Sequence, residues 1–200
     1  MRGERPAVAV LYNVNERLVK GDARDIVAEQ GVIACAKAVS VALDALGWPV
    51  AEVPYRGEVE AALAPYSSLD WVIFNLGEGL EGRLFEEVRI AWAIEAMGYR
   101  FTGNTGQALG LSTHKWRAKQ TLRAAGVPTP AGWLLRHPDE ATDDYPFPLI
   151  VKPVAEDASQ GIGSDAVART SAQLRDRVHH IVTCYRQAAL AETFIVGREV

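Results

Sequence analysis

The stretch 148–163, PLIVKPVAEDASQGIG, ends an apolar run in Lys152 and follows it with acidic, small and glycine residues. Such a set can hold a phosphate chain. Glycine lets successive backbone N–H groups turn toward one anion, and a lysine from the preceding strand supplies the opposing charge. A lysine closing an apolar strand equally fits the plainer role of carrying its ammonium to water. The sequence contains no GxxxxGK[ST], so the loop is not a P-loop, and it lacks the HRD and DFG of protein kinases. A second glycine-rich stretch, NLGEGLEGR, sets Asn75, Glu78 and Glu81 among Gly77, Gly79 and Gly82. It could bring backbone close to a substrate, or be a strand-to-helix turn with no ligand.

Other reactive side chains point less clearly to chemistry. His179 and His180 are consecutive in a helical segment and cannot share one face, and no further ligand stands beside them at metal spacing. No metal site is expected within the chain. Cys35 and Cys184 show neither CxxC nor CxxH spacing and fit free thiols in a reducing cytosol. Trp48, Trp71, Trp92, Trp116 and Trp133 are scattered at core-like positions and need no ligand. The basic helix WRAKQTLRAAG mixes its charges with apolar residues, and a net charge of -4 from 21 basic and 25 acidic residues leaves no basic block. Neither nucleic acid nor an anionic membrane is an expected partner. The opening MRGERPAVAVLY has too short an apolar run for a signal peptide, and no stretch approaches a membrane span. A cytoplasmic protein is expected.

These residues must be placed by elements, and 200 residues with 48% hydrophobic side chains can build one large or two small cores. AVAVLY (7–12) reads as a buried strand, followed by a long polar segment to about Glu29 that is a candidate functional loop. A helix is expected over 29–47 with Gly47 as its stop, then a strand over 48–55, a short helix over 57–66, a strand over 69–76 and a helix over 84–98. This alternation predicts a parallel sheet covered on both faces, with ligands outside the carboxyl ends of its strands. The pattern then changes. A helix over 112–126 is ended by Pro128 and Pro130, which lead into a strand. Past the polar connection 137–148 come a strand over 149–153, the glycine loop, a returning strand over 164–169, a helix over 170–187 and a strand over 190–196. A domain boundary is expected near 103–112.

Taken in order, STHKWRAKQTLRAAGVPTPAGWLL, PLIVKPVAEDASQGIG and ETFIVGREV resemble the ATP-grasp fold, most closely the D-alanine–D-alanine ligase branch. DWVIFNLGEGLEG and IEAMGYRFTGNTGQALGLSTHK resemble the domain that precedes the grasp in that branch. The resemblance implies an α/β chain. A Rossmann-like, substrate-binding pre-ATP-grasp domain with a parallel sheet would occupy 1–108, and the first α+β part of the ATP-grasp domain, incomplete at its C-terminus, 109–200. It implies that Lys115 and Lys152 bind nucleotide phosphates and that Ser159 and Gly161 belong to the loop closing over them. Glu192, Thr193, Phe194 and Ile195 match the hinge facing adenine, and Glu199 the acid that grips the ribose.

The activity implied is an ATP-dependent carboxylate–amine ligation, in which a substrate carboxylate is phosphorylated and an amine attacks the acyl phosphate. ATP and magnesium are the implied cofactors, with the metal ligands expected beyond Val200, so that no catalytic residue is assigned. The alternative is a non-catalytic nucleotide-binding module or an inactive fragment of such a ligase. Where the ligases carry a histidine, this sequence has Asn75. The glutamate that holds a first substrate's amino group has Glu29 or Glu16 as its counterpart, and Glu78 and Glu81 could line the same pocket. A small amino-acid or carboxylate substrate and a homodimer are what the family suggests.

Overall fold

The computed structural model describes residues 5–15, 19–79 and 82–198, apart from the side chains of 24 and 26–30. Glu16, Glu81, Glu199 and the side chain of Glu29 lie outside the described residues. The chain divides into two compact units, Met1–Val19 with Ala23–Gly110, and Lys20–Asp22 with Leu111–Val200.

The first unit runs β1 (Ala7–Asn13), α1 (Ile26–Ala45), β2 (Val50–Tyr55), α2 (Val59–Leu63), β3 (Trp71–Leu76), α3 (Glu86–Ala96) and β4 (Arg100–Phe101), and α4 (Gly106–Ser112) begins in it. Its strands pair in parallel in the order β2-β1-β3-β4. Residues of a strand alternate between the faces of its sheet, and β1 is apolar on both. Ala9 and Leu11 join Val59 and Leu63 of α2 and Ile90 and Ile94 of α3. Val8, Val10 and Tyr12 meet Val32 and Ala36 of α1 on the other side. The sheet is therefore covered on both faces, as the unbroken apolar strands require. The expected loop from Tyr12 to about Glu29 is shorter than its polarity suggested. A 3-10 turn at Ala23–Asp25 leads into α1 at Ile26, where the Asp25 carboxylate suits the positive end of the helix.

The second unit holds α5 (Lys115–Ala124), β5 (Gly132–Leu135), β6 (Leu149–Pro153), β7 (Val167–Ala168), α6 (Ser171–His180) and β8 (Ala189–Thr193). Its sheet is antiparallel in the order β5-β8-β6-β7. Leu149, Val151, Ala189 and Ala191 form a core with Leu174, Val178, Ile181 and Tyr185 from α6 and the turn after it. Thr170 caps α6 by accepting the Gln173 N–H at 3.3 Å. Several boundaries differ from expectation: the returning strand expected over 164–169 is only Val167–Ala168, and α5 starts at Lys115 rather than at 112. The helix expected to Gln187 becomes a π-helical turn over Ile181–Tyr185 and ends at Arg186, whose φ is 54°. The strand expected to reach Val196 stops at Thr193, and Ile195 and Val196 are exposed. No described helix is long and apolar enough to cross a membrane.

Candidate functional site

On β6, Leu149 and Val151 enter the core beneath α6, so Lys152 faces the opposite side of the sheet. The register of β6 with β8 pairs Lys152 with Leu190 and Ile150 with Glu192, which makes Lys152 and Glu192 diagonal neighbours on that face. Lys152 Nζ lies 2.5 Å from Glu192 Oε2, and Lys119 Nζ of α5 lies 2.6 Å from Oε1. Lys119 is buried and also donates to the Pro130 carbonyl at 2.6 Å. Burial alone pushes the Glu192 carboxyl up, but hydrogen bonds from Lys119 and Lys152 outweigh it and hold the group below the usual carboxylate range. Two ammonium groups share one carboxylate here. The surplus positive charge suits an anion.

Lys115 opens α5, and its backbone N–H donates to the Val154 carbonyl at 2.9 Å, which fixes the start of the helix against the end of β6. Its ammonium donates to the Glu156 carbonyl. Burial lowers the Lys115 pKa, and the charge of Lys152 lowers it further. The Glu156 carboxylate is itself engaged, by the Lys20 ammonium and by Gln187 Nε2 at 2.5 Å.

Between β6 and β7 the loop turns through left-handed backbone at Ala158, Ser159 and Gly161, with φ of 44°, 60° and 72°. Gly161 is buried, and a Cβ there would stand 2.5 Å from Pro153 Cγ. Ser159 is exposed. The buried Arg177 of α6 holds the loop, donating from Nη2 to the Gly161 carbonyl at 2.7 Å and from Nη1 to Asp165 at 2.7 Å.

Past Glu192 the chain stays attached to the sheet for two residues. The Thr193 N–H donates to the Ala131 carbonyl at 2.9 Å and the Phe194 N–H to the Pro148 carbonyl at 3.0 Å, before Ile195 leaves it. Lys152 and Glu192 thus share one face of β6 and β8, with Lys115 at the end of β6, while Gly161 packs against Pro153 and Tyr185 on the α6 side. Lys119, Arg177 and Lys20 were not singled out from sequence, where each reads as an ordinary charge; the burial of Lys119, four residues after Lys115, shows only in the fold.

In the first unit the strand order changes direction about β1, so the carboxyl ends of β1 and β3 form the switch point where ligands collect in such sheets. Asn75 and Glu78 stand there. Asn75 Oδ1 accepts the Gly77 N–H at 3.0 Å, and its own N–H donates to Thr102 Oγ1 at 3.0 Å. The buried Asn13 accepts the Glu78 N–H at 2.9 Å, and Asn15 Nδ2 donates to the Gly79 carbonyl at 3.1 Å. A Cβ on Gly77 would come 2.8 Å from Ile90 Cδ1, so a larger residue where the loop crosses α3 would need the Ile90 side chain to shift. Asn13 and Asn15 were missed from sequence, although two asparagines directly after a buried strand are a visible signal. The Glu78 side chain is exposed, and Glu29 lies in α1.

No family model matches the chain. A D-alanine–D-alanine ligase of Methylorubrum extorquens is 31% identical over 172 residues, which cover 82% of this chain and 51% of that protein. An uncharacterized protein of Sinorhizobium fredii is 38% identical over 136 residues, 68% of this chain and 39% of the relative. The chain thus spans about half the length, or less, of these curated relatives. Among solved structures, a D-alanine–D-alanine ligase of Bacillus anthracis matches 96% of this chain and 59% of its own, with a TM-score of 0.71 and 19% identity. The same enzyme complexed with ATP gives a TM-score of 0.69 at 16% identity, over 96% of this chain and 60% of its own. At these identities the solved structures establish the fold.

Proposed function

This chain matches the N-terminal portion of ATP-grasp proteins of the D-alanine–D-alanine ligase-like branch, and on that premise we propose that it carries part of the nucleotide site and the first-substrate domain of an ATP-dependent carboxylate–amine ligase. The observation that carries this reading is the cluster of Lys115, Lys119 and Lys152 with Glu192 beside a left-handed glycine loop. Lys115 and Lys152 repel one another in a partly desolvated place, and a phosphate chain between them would remove that cost. The loop from Ala158 to Gly161 offers backbone N–H groups to the same anion, and Arg177 keeps it in shape. Glu192 and the segment Thr193–Phe194–Ile195 would meet the base. The first unit, with Asn13, Asn15, Asn75 and Glu78 at its switch point, would take the small amino acid or carboxylate.

In the reaction proposed, a carboxylate oxygen of the first substrate bonds to the γ-phosphorus of ATP as the bond to ADP breaks. The amine then bonds to the acyl carbon, phosphate leaves and the amine loses a proton. Lysine charge and loop N–H groups stabilise the first step by lying where negative charge is transferred. Magnesium would supply further neutralisation of phosphate charge. Glu156 and Glu192 do not fit that ion, because Glu156 is taken by Lys20 and Gln187 and Glu192 by two lysines.

Titration of ATP into wild type and Lys152→Ala tests the nucleotide site. Loss of one charge-assisted contact should weaken binding by about 10- to 100-fold while the circular dichroism stays that of a folded protein. Equal affinity in a folded variant overturns the assignment. Phosphate release from ATP with D-alanine and then other amino acids, with the product seen by mass spectrometry, tests the chemistry. ATP binding without release for any amino acid would favour a non-catalytic nucleotide module.

A further inference from the structure

Away from the nucleotide cluster, the second unit assembles three side chains that sequence spacing left apart. Sequence spacing gives His180 no companion ligand, and the fold brings two candidate side chains to it. Asp22 Oδ1 lies 3.2 Å from His180 Nε2, and Cys184 Sγ lies 3.6 Å from His180 Nδ1. One ligand atom from each of the three can be chosen so that all lie within 4.8 Å of one another. From these positions we propose that Asp22, His180 and Cys184 form a binding site for a divalent transition ion of the zinc class.

The local structure brings the three together for identifiable reasons. His180 and Cys184 are four positions apart across the junction of α6 with the π-helical turn, which puts both on one side of the helix. Asp22 arrives from the remote segment 20–22, which is fixed to this turn by the Gly21 N–H donating to the Cys184 carbonyl at 2.9 Å. The second carboxylate oxygen of Asp22 accepts from the Tyr185 hydroxyl at 3.1 Å, so the carboxylate is oriented by a neighbour as ligands in metal sites usually are. π-Turns of this kind are frequent at functional sites.

The donor set is one thiolate, one imidazole and one carboxylate. A soft sulfur with nitrogen selects zinc or cobalt over magnesium and calcium, which prefer oxygen alone. Around a tetrahedral zinc ion such donors stand about 3.3–3.6 Å apart, tighter than the 4.8 Å within which one atom of each residue lies, because Asp22 and Cys184 meet opposite nitrogens of the His180 ring; rotation of the Asp22 and Cys184 side chains toward one nitrogen would close the set. All three residues are half-exposed, which leaves a path for the ion and a fourth position open to solvent. A bound ion would lock segment 20–22, and with it Lys20 on Glu156, onto the end of α6.

Cobalt(II) titrated into the reduced protein tests the site, because a cobalt–thiolate bond gives a near-ultraviolet charge-transfer band that oxygen and nitrogen ligands do not. We expect one equivalent to develop that band and zinc to abolish it. Cys184→Ser should remove the band, and His180→Ala and Asp22→Asn should weaken cobalt binding at least tenfold, each with unchanged circular dichroism. Cys35→Ser should leave the signal intact, since Cys35 is exposed on α1. A folded, reduced wild type without the band overturns the proposal, as does a band lost with Cys35 or retained without Cys184. These readouts do not involve ATP, so they stand or fall separately from the ligase reading.

Discussion

Glu192 shows how a single carboxylate can be held charged in a sheltered place. Desolvation opposes its charge, yet two ammonium groups at 2.6 and 2.5 Å reverse the balance and lower its pKa. A carboxyl whose folded pKa lies below its unfolded value stabilises the fold above the unfolded value, about 4.3, and that contribution fades as pH falls through the lowered folded one. Glu192→Gln should therefore cost roughly 2–3 kcal/mol at pH 7. That is less than the ~3–5 kcal/mol of a fully buried pair, because Lys152 keeps part of its side chain in water. In urea unfolding the gap between variant and wild type should narrow as pH falls below 4, and equal midpoints at pH 7 would mean the pairs contribute nothing. Lys115, Lys152 and Glu192 could be named from the sequence because the ordered motifs that hold them resemble a known family; Lys152 also stands at the end of an apolar run. Lys119 and Arg177 were not. Their importance comes from what the fold sets against them, Glu192 and the Pro130 carbonyl for Lys119 and Asp165 and the Gly161 carbonyl for Arg177, and in the sequence both read as ordinary charges on a helix face.

At the scale of elements, the glycine loop depends on one backbone position more than on any side chain. Gly161 combines a φ of 72° with a neighbour, Pro153 Cγ, only 2.5 Å from where a Cβ would sit. Gly126 after α5 has a similar φ of 77° but nothing within 4 Å. Gly126→Ala should cost only the backbone penalty, about 1 kcal/mol, whereas Gly161→Ala adds overpacking and should cost about 2–4 kcal/mol. Denaturant midpoints of the two variants, measured together, separate space from conformation; equal losses would mean the loop relaxes freely around Pro153. The long elements were legible because their apolar period runs over many residues, as in β1, α3 and β6. β4 has two residues and no period to read, and α4, GQALGLS, carries two glycines in seven positions. The end of α6 was misread because IVTCY keeps a helical apolar spacing while its backbone has widened to a π-turn.

At the scale of the whole chain, the two units have separate cores and differently built sheets, parallel in one and antiparallel in the other. The parallel unit offers a switch point at the ends of β1 and β3, and the antiparallel unit offers the lysine cluster. If the division of labour proposed above holds, two ligands should leave two footprints in amide hydrogen exchange. ATP at a hundred times its dissociation constant stabilises whatever binds it by about 2.7 kcal/mol, so exchange that needs the second unit to open should slow by about a hundredfold. The amides of 152–162 and 190–196 are where that protection should concentrate. An amino acid that supports phosphate release should instead protect 13–15 and 75–79, where asparagine side chains already organise the backbone. Protection of 75–79 by ATP alone, with none over 152–162, would place the nucleotide on the parallel sheet, as in other doubly wound proteins, and would leave the lysines of the second unit as a structural ion cluster.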